Sequence, residues 1–309
     1  MNLETLQKFK FERVLNEDPA SHSTTVLGGF PLQDGTGISP AILRIEKLSL
    51  PSGVAENPRA IVNDFSLTES TDVYSWGLGW LKPTLERPDV KINIIHPATE
   101  VHIRKYSAQE LRMVHETAEL YERITKPYMD AFPPSRIQWV YDILSGKSEA
   151  EKVLFKDPSP ESGFVILPDM KWDLITMSTL YLVAIVLTQD IRCLRDLRKH
   201  HLGMLRNIRS QATKVVQEKW GLADGSLRFY VHYQPSYYHF HVHIVHVKYV
   251  GTMGSTVGQA HLLDDIISLL ELDSDDGPSV LERMTFTYAL GEQHGLYKGM
   301  LAAQAGLDA

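Results

Sequence analysis

Disulfides, membrane spans and a basic surface are all missing from this sequence. Cys193 is the one cysteine in 309 residues, so no internal disulfide can form and a reducing compartment is expected. Such a residue is expected to be a small buried thiol. The longest apolar run, Leu180–Leu187, falls far short of the roughly 18 residues that a membrane-spanning helix needs. The stretch from Met1 to Lys10 is charged throughout and has no apolar signal core, so a soluble intracellular protein without a membrane partner is expected. A formal net charge of −7 gives no overall attraction for long nucleic acid. A small anion in a locally positive pocket remains compatible with it. Internal repeats and low-complexity segments are also lacking.

What is present is ordinary in bulk, with 43% hydrophobic and 22% charged residues, and long enough for two domains. Residues 22–100 are rich in Gly, Pro and short β-type runs such as Ala41–Ile45 and Val90–Ile95, which predict a small, mostly β domain. The reading divides the chain into an N-terminal domain (1–97), a hinge linker (98–107) and a C-terminal domain (108–309). Ser107-Ala-Gln-Glu110 has capping-box spacing, and Leu111, Val114, Ala118 and Tyr121 recur at helical intervals, predicting a helix that ends at Pro127. Strands are expected at 137–144, 153–155, 163–167 and 180–187. A long helix is expected from Leu202 to Gly221, a strand over Leu227–Tyr233, a helix around Leu262–Leu270 and a last strand over 284–290. The fold class is therefore α+β, with an antiparallel sheet and flanking helices in the C-terminal domain.

The most telling segment is His239-Phe-His-Val-His243. On a strand, alternate side chains share a face, so His239, His241 and His243 line up while Phe240, Val242 and Ile244 face a core. Imidazole titrates near neutrality, with an unperturbed pKa of about 6.5. Three uses are open for such a row. It can simply hydrogen-bond in a polar cleft. It can bind zinc or iron, although no His-Glu-x-x-His or cysteine pair accompanies it. Or one imidazole can attack phosphorus and form a phosphoramidate while its neighbours hold oxygens and serve the leaving group.

The row, together with His96-Pro-Ala-Thr-Glu100, Ile137-Gln-Trp-Val-Tyr141, Gly163 through Trp172 and Pro235 through His243, resembles the scavenger mRNA decapping enzymes of the histidine-triad superfamily. The resemblance runs from residue 96 onward and is looser before it. It implies hydrolysis of 7-methylguanosine cap dinucleotide or short capped RNA after 3′-to-5′ mRNA decay, with no cofactor and no metal. In that frame His241 is the nucleophile, and His239 and His243 assist it. Trp139 stacks on the methylated base and Glu149 reads its edge. Asp169 and Lys171 reach ribose and phosphates, and His232, Ser236 and Tyr237 bind phosphate. Relatives form homodimers with strand-exchanged N-terminal domains, and Trp76 and Trp80 become candidate lid contacts. The expected location is the cytoplasm, with the nucleus as a second compartment. One departure stands out: Gln259 occupies the place of an expected arginine. Two alternatives accompany this reading, a non-catalytic cap-binding paralogue and a generic dinucleoside polyphosphate hydrolase.

Overall fold

A computed structural model describes residues 3–19, 21–32, 35–48, 57–83, 88–250, 253–274 and 277–306. They form two units, 1–109 and 110–309. Among the described residues no helix is long and apolar enough to cross a membrane.

The first unit contains an antiparallel sheet ordered β1 (Lys10–Asp18), β2 (Ser23–Pro31), β3 (Ile38–Lys47) and β6 (Val90–Ile95). A separate hairpin pairs β4 (Val62–Ser70) with β5 (Ser75–Leu81). The segment expected to be a linker carries a helix, Glu100–Tyr106. Its Ile103 and Tyr106 pack with Leu15, Leu27, Ile42 and Ala98, so apolar burial draws this stretch into the first unit.

The second unit is built on a six-stranded antiparallel sheet. Its strands are β8 (Phe155–Asp157), β9 (Phe164–Pro168), β10 (Tyr181–Val186), β11 (Leu227–His232), β12 (His241–His246) and β13 (Ala260–Leu262). Their order across the sheet is β13-β11-β12-β10-β9-β8. On one face Phe164, Ile166, Leu182, Ala184, Phe229, Val242 and Ile244 share a core with Leu205, Ile208 and Ala212 of the helix Leu202–Trp220 and Leu263, Ile266 and Leu270 of the helix Leu263–Glu271. Each such aliphatic side chain, once buried, contributes roughly 1.5–3 kcal/mol, which pins the register. Gly221 ends the long helix at φ 68°, a left-handed position that suits glycine.

The opposite face is divided. Val165, Leu167, Val183 and Ile185 are covered by Val140 and Ile143 of the helix Gln138–Leu144. Cross-strand pairing sets Ile185 against His241 and Val183 against His243, so the histidines continue the same face beyond the aliphatic patch.

Three expectations need correction. Residues 111–116 are strand β7 (Leu111–Glu116), paired with β14 (Phe286–Gly291), and helical structure begins only after Thr117, whose hydroxyl accepts from Leu120 N at 3.2 Å. Inward Val114 and Glu116 alternate with outward His115, a period of two that the distant partner strand selected over the helical spacing. Residues 138–144 are a helix rather than a strand, with Val140 and Ile143 inward; a run this short fits both periods. Finally, β12 starts at His241, and His239 belongs to its irregular lead-in.

Candidate active site

Strand β12 is held by the apolar contacts of Val242 and Ile244 behind it, and that burial turns His241 and His243 outward. His239 joins them from the preceding segment. All three are at most 5% exposed, so their hydrogen bonds decide their chemistry.

His239 Nε2 lies 2.8 Å from the Val186 carbonyl, and His241 Nδ1 lies 2.8 Å from the His239 carbonyl. A carbonyl only accepts, so both nitrogens carry protons and donate. His241 is thereby fixed with its proton on Nδ1, and its Nε2 has no hydrogen-bond partner among the described residues. That nitrogen presents a bare lone pair. His243 Nδ1 is 2.9 Å from the Tyr181 hydroxyl, which lies 3.1 Å from the Tyr230 hydroxyl and 3.3 Å from Lys171 Nζ. The ammonium can only donate, which leaves the Tyr181 proton for His243 or Tyr230.

Burial holds the rings uncharged. It lowers His241 to about 3, with His232, His239 and Lys171 adding charge repulsion, and lowers His232 to about 4. It also pushes His243 well below the usual histidine range, with His241, His232 and Lys171 adding to the effect, and it lowers His239. At neutral pH the cleft therefore offers neutral nitrogens with one ammonium, Lys171, nearby.

The surrounding rings fix positions. Tyr237 stacks on His241 at 4.2 Å and 12°, and the Trp139 ring meets Tyr237 edge-on at 4.9 Å. His232 lies 4.2 Å from His243. A side chain at Gly254 would put Cβ 3.0 Å from His232 Nε2, so glycine is what lets that loop approach the ring. The turn that carries Ser236 and Tyr237 is tethered at both ends. Gln234 donates to Glu116 Oε2 at 3.1 Å, and Tyr238 donates to Gln234 Oε1 at 3.2 Å.

The structure thus gathers His232, Tyr237, His239, His241 and His243, with Trp139 joined through Tyr237. Lys171 connects through Tyr181, and the Asp169 carboxylate is 3.8 Å from its ammonium. Ser236 is exposed beside Tyr237. Glu149 occupies a left-handed turn at φ 53° and pairs with Lys152 at 3.3 Å, a local contact that leaves it apart from the histidines. Gln259 donates to the Ala289 carbonyl at 3.3 Å, an internal bond in the place expected to bind phosphate. Tyr181 and Tyr230 were not identified from sequence. Their only signal was strand alternation, which puts them on the histidine face once the pairing is known. One nitrogen each from His232, His241 and His243 lies within 4.8 Å of the others. Chemically the arrangement suits an anion presented to the free Nε2 of His241.

Comparison with known proteins identifies the family. The family model for the N-terminal part of scavenger mRNA decapping enzymes matches residues 4–109, and the model for their C-terminal binding region matches residues 138–258. An m7GpppX diphosphatase of Schizosaccharomyces pombe is 40% identical over 96% of this chain and 95% of that protein. One from Homo sapiens is 37% identical over 96% of this chain and 86% of its own length. One from Ascaris suum is 36% identical, with 96% and 95% covered.

Proposed function

Because the chain belongs to the scavenger mRNA decapping enzyme family, we propose that it hydrolyses the triphosphate of a 7-methylguanosine cap carried on a nucleoside or very short RNA. The observation that carries this reading is the unpaired Nε2 of His241, whose proton is held on the other nitrogen by the His239 carbonyl. Nε2 attacks the phosphorus next to 7-methylguanosine. A nitrogen–phosphorus bond forms, the bond from that phosphorus to the bridging oxygen breaks, and a nucleoside diphosphate departs. The ring becomes cationic, and its Nδ1–H strengthens its bond to the His239 carbonyl. Water then attacks the same phosphorus, releasing 7-methylguanosine monophosphate and the free imidazole.

Neutral His243, accepting from the Tyr181 hydroxyl at Nδ1, donates from Nε2 to a phosphate oxygen, while His239, whose one proton is held by the Val186 carbonyl, orients His241 through its own carbonyl. A bound polyphosphate raises the His243 pKa by its negative charge, which lets a proton accompany the leaving group. Lys171 offsets the charge growing there. The test is product analysis: incubation with cap dinucleotide yields 7-methylguanosine monophosphate in the presence of a chelator. Recovery of intact dinucleotide would favour the non-catalytic cap-binding reading.

The pH profile follows from the free protein's ionisations, which kcat/KM reports. A depressed folded pKa means the reactive neutral form persists below 6.5, so kcat/KM stays level from pH 8 down to about 5. The acid limb appears only as pH approaches the values near 4 and 3 of His232 and His241. An acid limb centred at 6.5 would contradict the buried, neutral triad.

Trp139 is 45% exposed, which leaves its indole available to a cationic methylated base. Glu149 accepts from the guanine edge. Stacking with cation–π attraction is worth ~1–2 kcal/mol, so Trp139→Ala weakens methylated cap by roughly 5–30-fold and unmethylated guanosine less. Equal losses for both ligands, measured by titration, would remove the cation–π argument.

The N-terminal unit supports a homodimer. In the β4–β5 hairpin Trp76, Leu78 and Trp80 are exposed on one face and Phe65 and Leu67 on the other, each 47–65% exposed, so both faces of the hairpin carry apolar area that a monomer rarely leaves in water. Sedimentation should give twice the 35.0 kDa chain mass; a monomer at micromolar concentration would remove this part. The location we propose is the cytoplasm and the nucleus, to be read by imaging a tagged chain.

A further inference from the structure

The nitrogens that suit a phosphoryl group also have the makings of a metal site. We propose that His232, His241 and His243 together bind a nitrogen-preferring divalent cation, zinc foremost, and that this cation competes with catalysis. Nothing in the proposed reaction requires it; the inhibition rests on the proposed role of His241, while the binding does not.

Two features support it. One nitrogen from each ring already lies within 4.8 Å of the other two, whereas a tetrahedral zinc with bonds of about 2.0–2.1 Å holds its nitrogens ~3.4 Å apart. Movement of about an ångström per ring closes that gap and leaves a fourth position for water. Two of the rings have their remaining nitrogen already engaged: His241 Nδ1 donates to the His239 carbonyl at 2.8 Å, and His243 Nδ1 meets the Tyr181 hydroxyl at 2.9 Å. Such outer partners orient metal-binding histidines and fix their tautomer.

The donor set selects the ion. All-imidazole nitrogen suits zinc, cobalt, nickel and copper, whereas magnesium and calcium want oxygen. The nearby carboxylate of Asp169 is turned to Lys171, 3.8 Å away. The Lys171 ammonium opposes a cation, so affinity is expected in the micromolar range rather than tighter. Bound metal takes up the Nε2 lone pair of His241 and thereby blocks attack on phosphorus.

The test uses cobalt(II) as a visible probe on the full chain. One equivalent should bring up the absorption bands of a tetrahedral centre, and zinc should bleach them. His232→Ala and His241→Asn should each weaken cobalt binding at least tenfold, while replacing both His200 and His201, a ring pair elsewhere at 4.0 Å, should leave it unchanged. Zinc should inhibit cap-dinucleotide turnover over the same range, reversibly with chelator, and magnesium should not. Absent cobalt bands, or bands that survive both substitutions or vanish with the His200/His201 pair, overturn the site. Full turnover at saturating zinc overturns the competition. Bound cobalt in a protein that never cleaves cap would instead overturn the decapping reading and leave the metal site standing.

Discussion

Replacing His241 with asparagine lowers kcat on cap dinucleotide by about 10⁴-fold or more, while the variant still binds methylated cap. The size follows from what is lost. The reaction is divided into two displacements only because a nitrogen lone pair reaches phosphorus, and deleting a covalent nucleophile elsewhere removes about 10⁴–10⁶ of the rate. Asparagine has nearly the same reach and keeps a polar amide in the cleft, so the surrounding rings need not collapse. Binding survives because Trp139, Tyr237 and Lys171 are untouched. Two measurements decide it: the rate of 7-methylguanosine monophosphate release, and cap titration followed by tryptophan fluorescence. Near-normal turnover would remove His241 from its assigned role. A trapped wild-type reaction should also carry nucleotide on that ring.

The second large effect is on stability. Arg195→Met should destabilise the second unit by ~3–5 kcal/mol. Arg195 and Glu116 have fully buried side chains, with Nε 2.9 Å from Oε1. Arg195 also donates to the carbonyls of Glu116 at 2.9 Å, Glu282 at 2.9 Å and Met284 at 3.0 Å. Glu116 accepts from Thr125 at 2.6 Å, Tyr288 at 2.7 Å and Tyr233. Removing the cation leaves a buried carboxylate without its counter-charge and takes a donor from four carbonyls, those of Glu116, Leu281, Glu282 and Met284. For a unit of this size the melting temperature should fall by roughly 10 °C. Removing both charges in an Arg195→Met, Glu116→Gln double variant should recover part of the loss, because the orphaned charge is then gone. A shift under about 2 °C for Arg195→Met would refute the account. Activity should fall as well, since Glu116 also holds Gln234 at the root of the turn that carries Ser236 and Tyr237.

Where the sequence was legible, the signal was local. The alternation of Phe240, Val242 and Ile244 with histidines predicted which side of the strand faces the core, because burial on one face of a strand leaves no other choice. The Leu202–Trp220 helix was equally clear, with its apolar stripe and terminal glycine. It failed where a segment satisfies two periods. Leu111 and Val114 stand at helical spacing, yet residues 111–116 pair with Phe286–Gly291, some 170 residues away in the chain. Gln138–Leu144 looks like a strand and is a helix, since a seven-residue apolar run is settled by what it packs against.

By itself the sequence determined that His241 and His243 share one face of a strand, that a tryptophan and a lysine lie in motifs of the decapping family, and that the net charge is negative. Those properties depend on residue type and short-range geometry. Tertiary structure alone decided which nitrogen of His241 is free, because that depends on the path of the His239 carbonyl. It also decided that Tyr181 links Lys171 to His243, and that Gln259 is engaged with Ala289. Each of these is a contact between segments that the chain brings together only when the sheet closes, so no pattern within a segment encodes it.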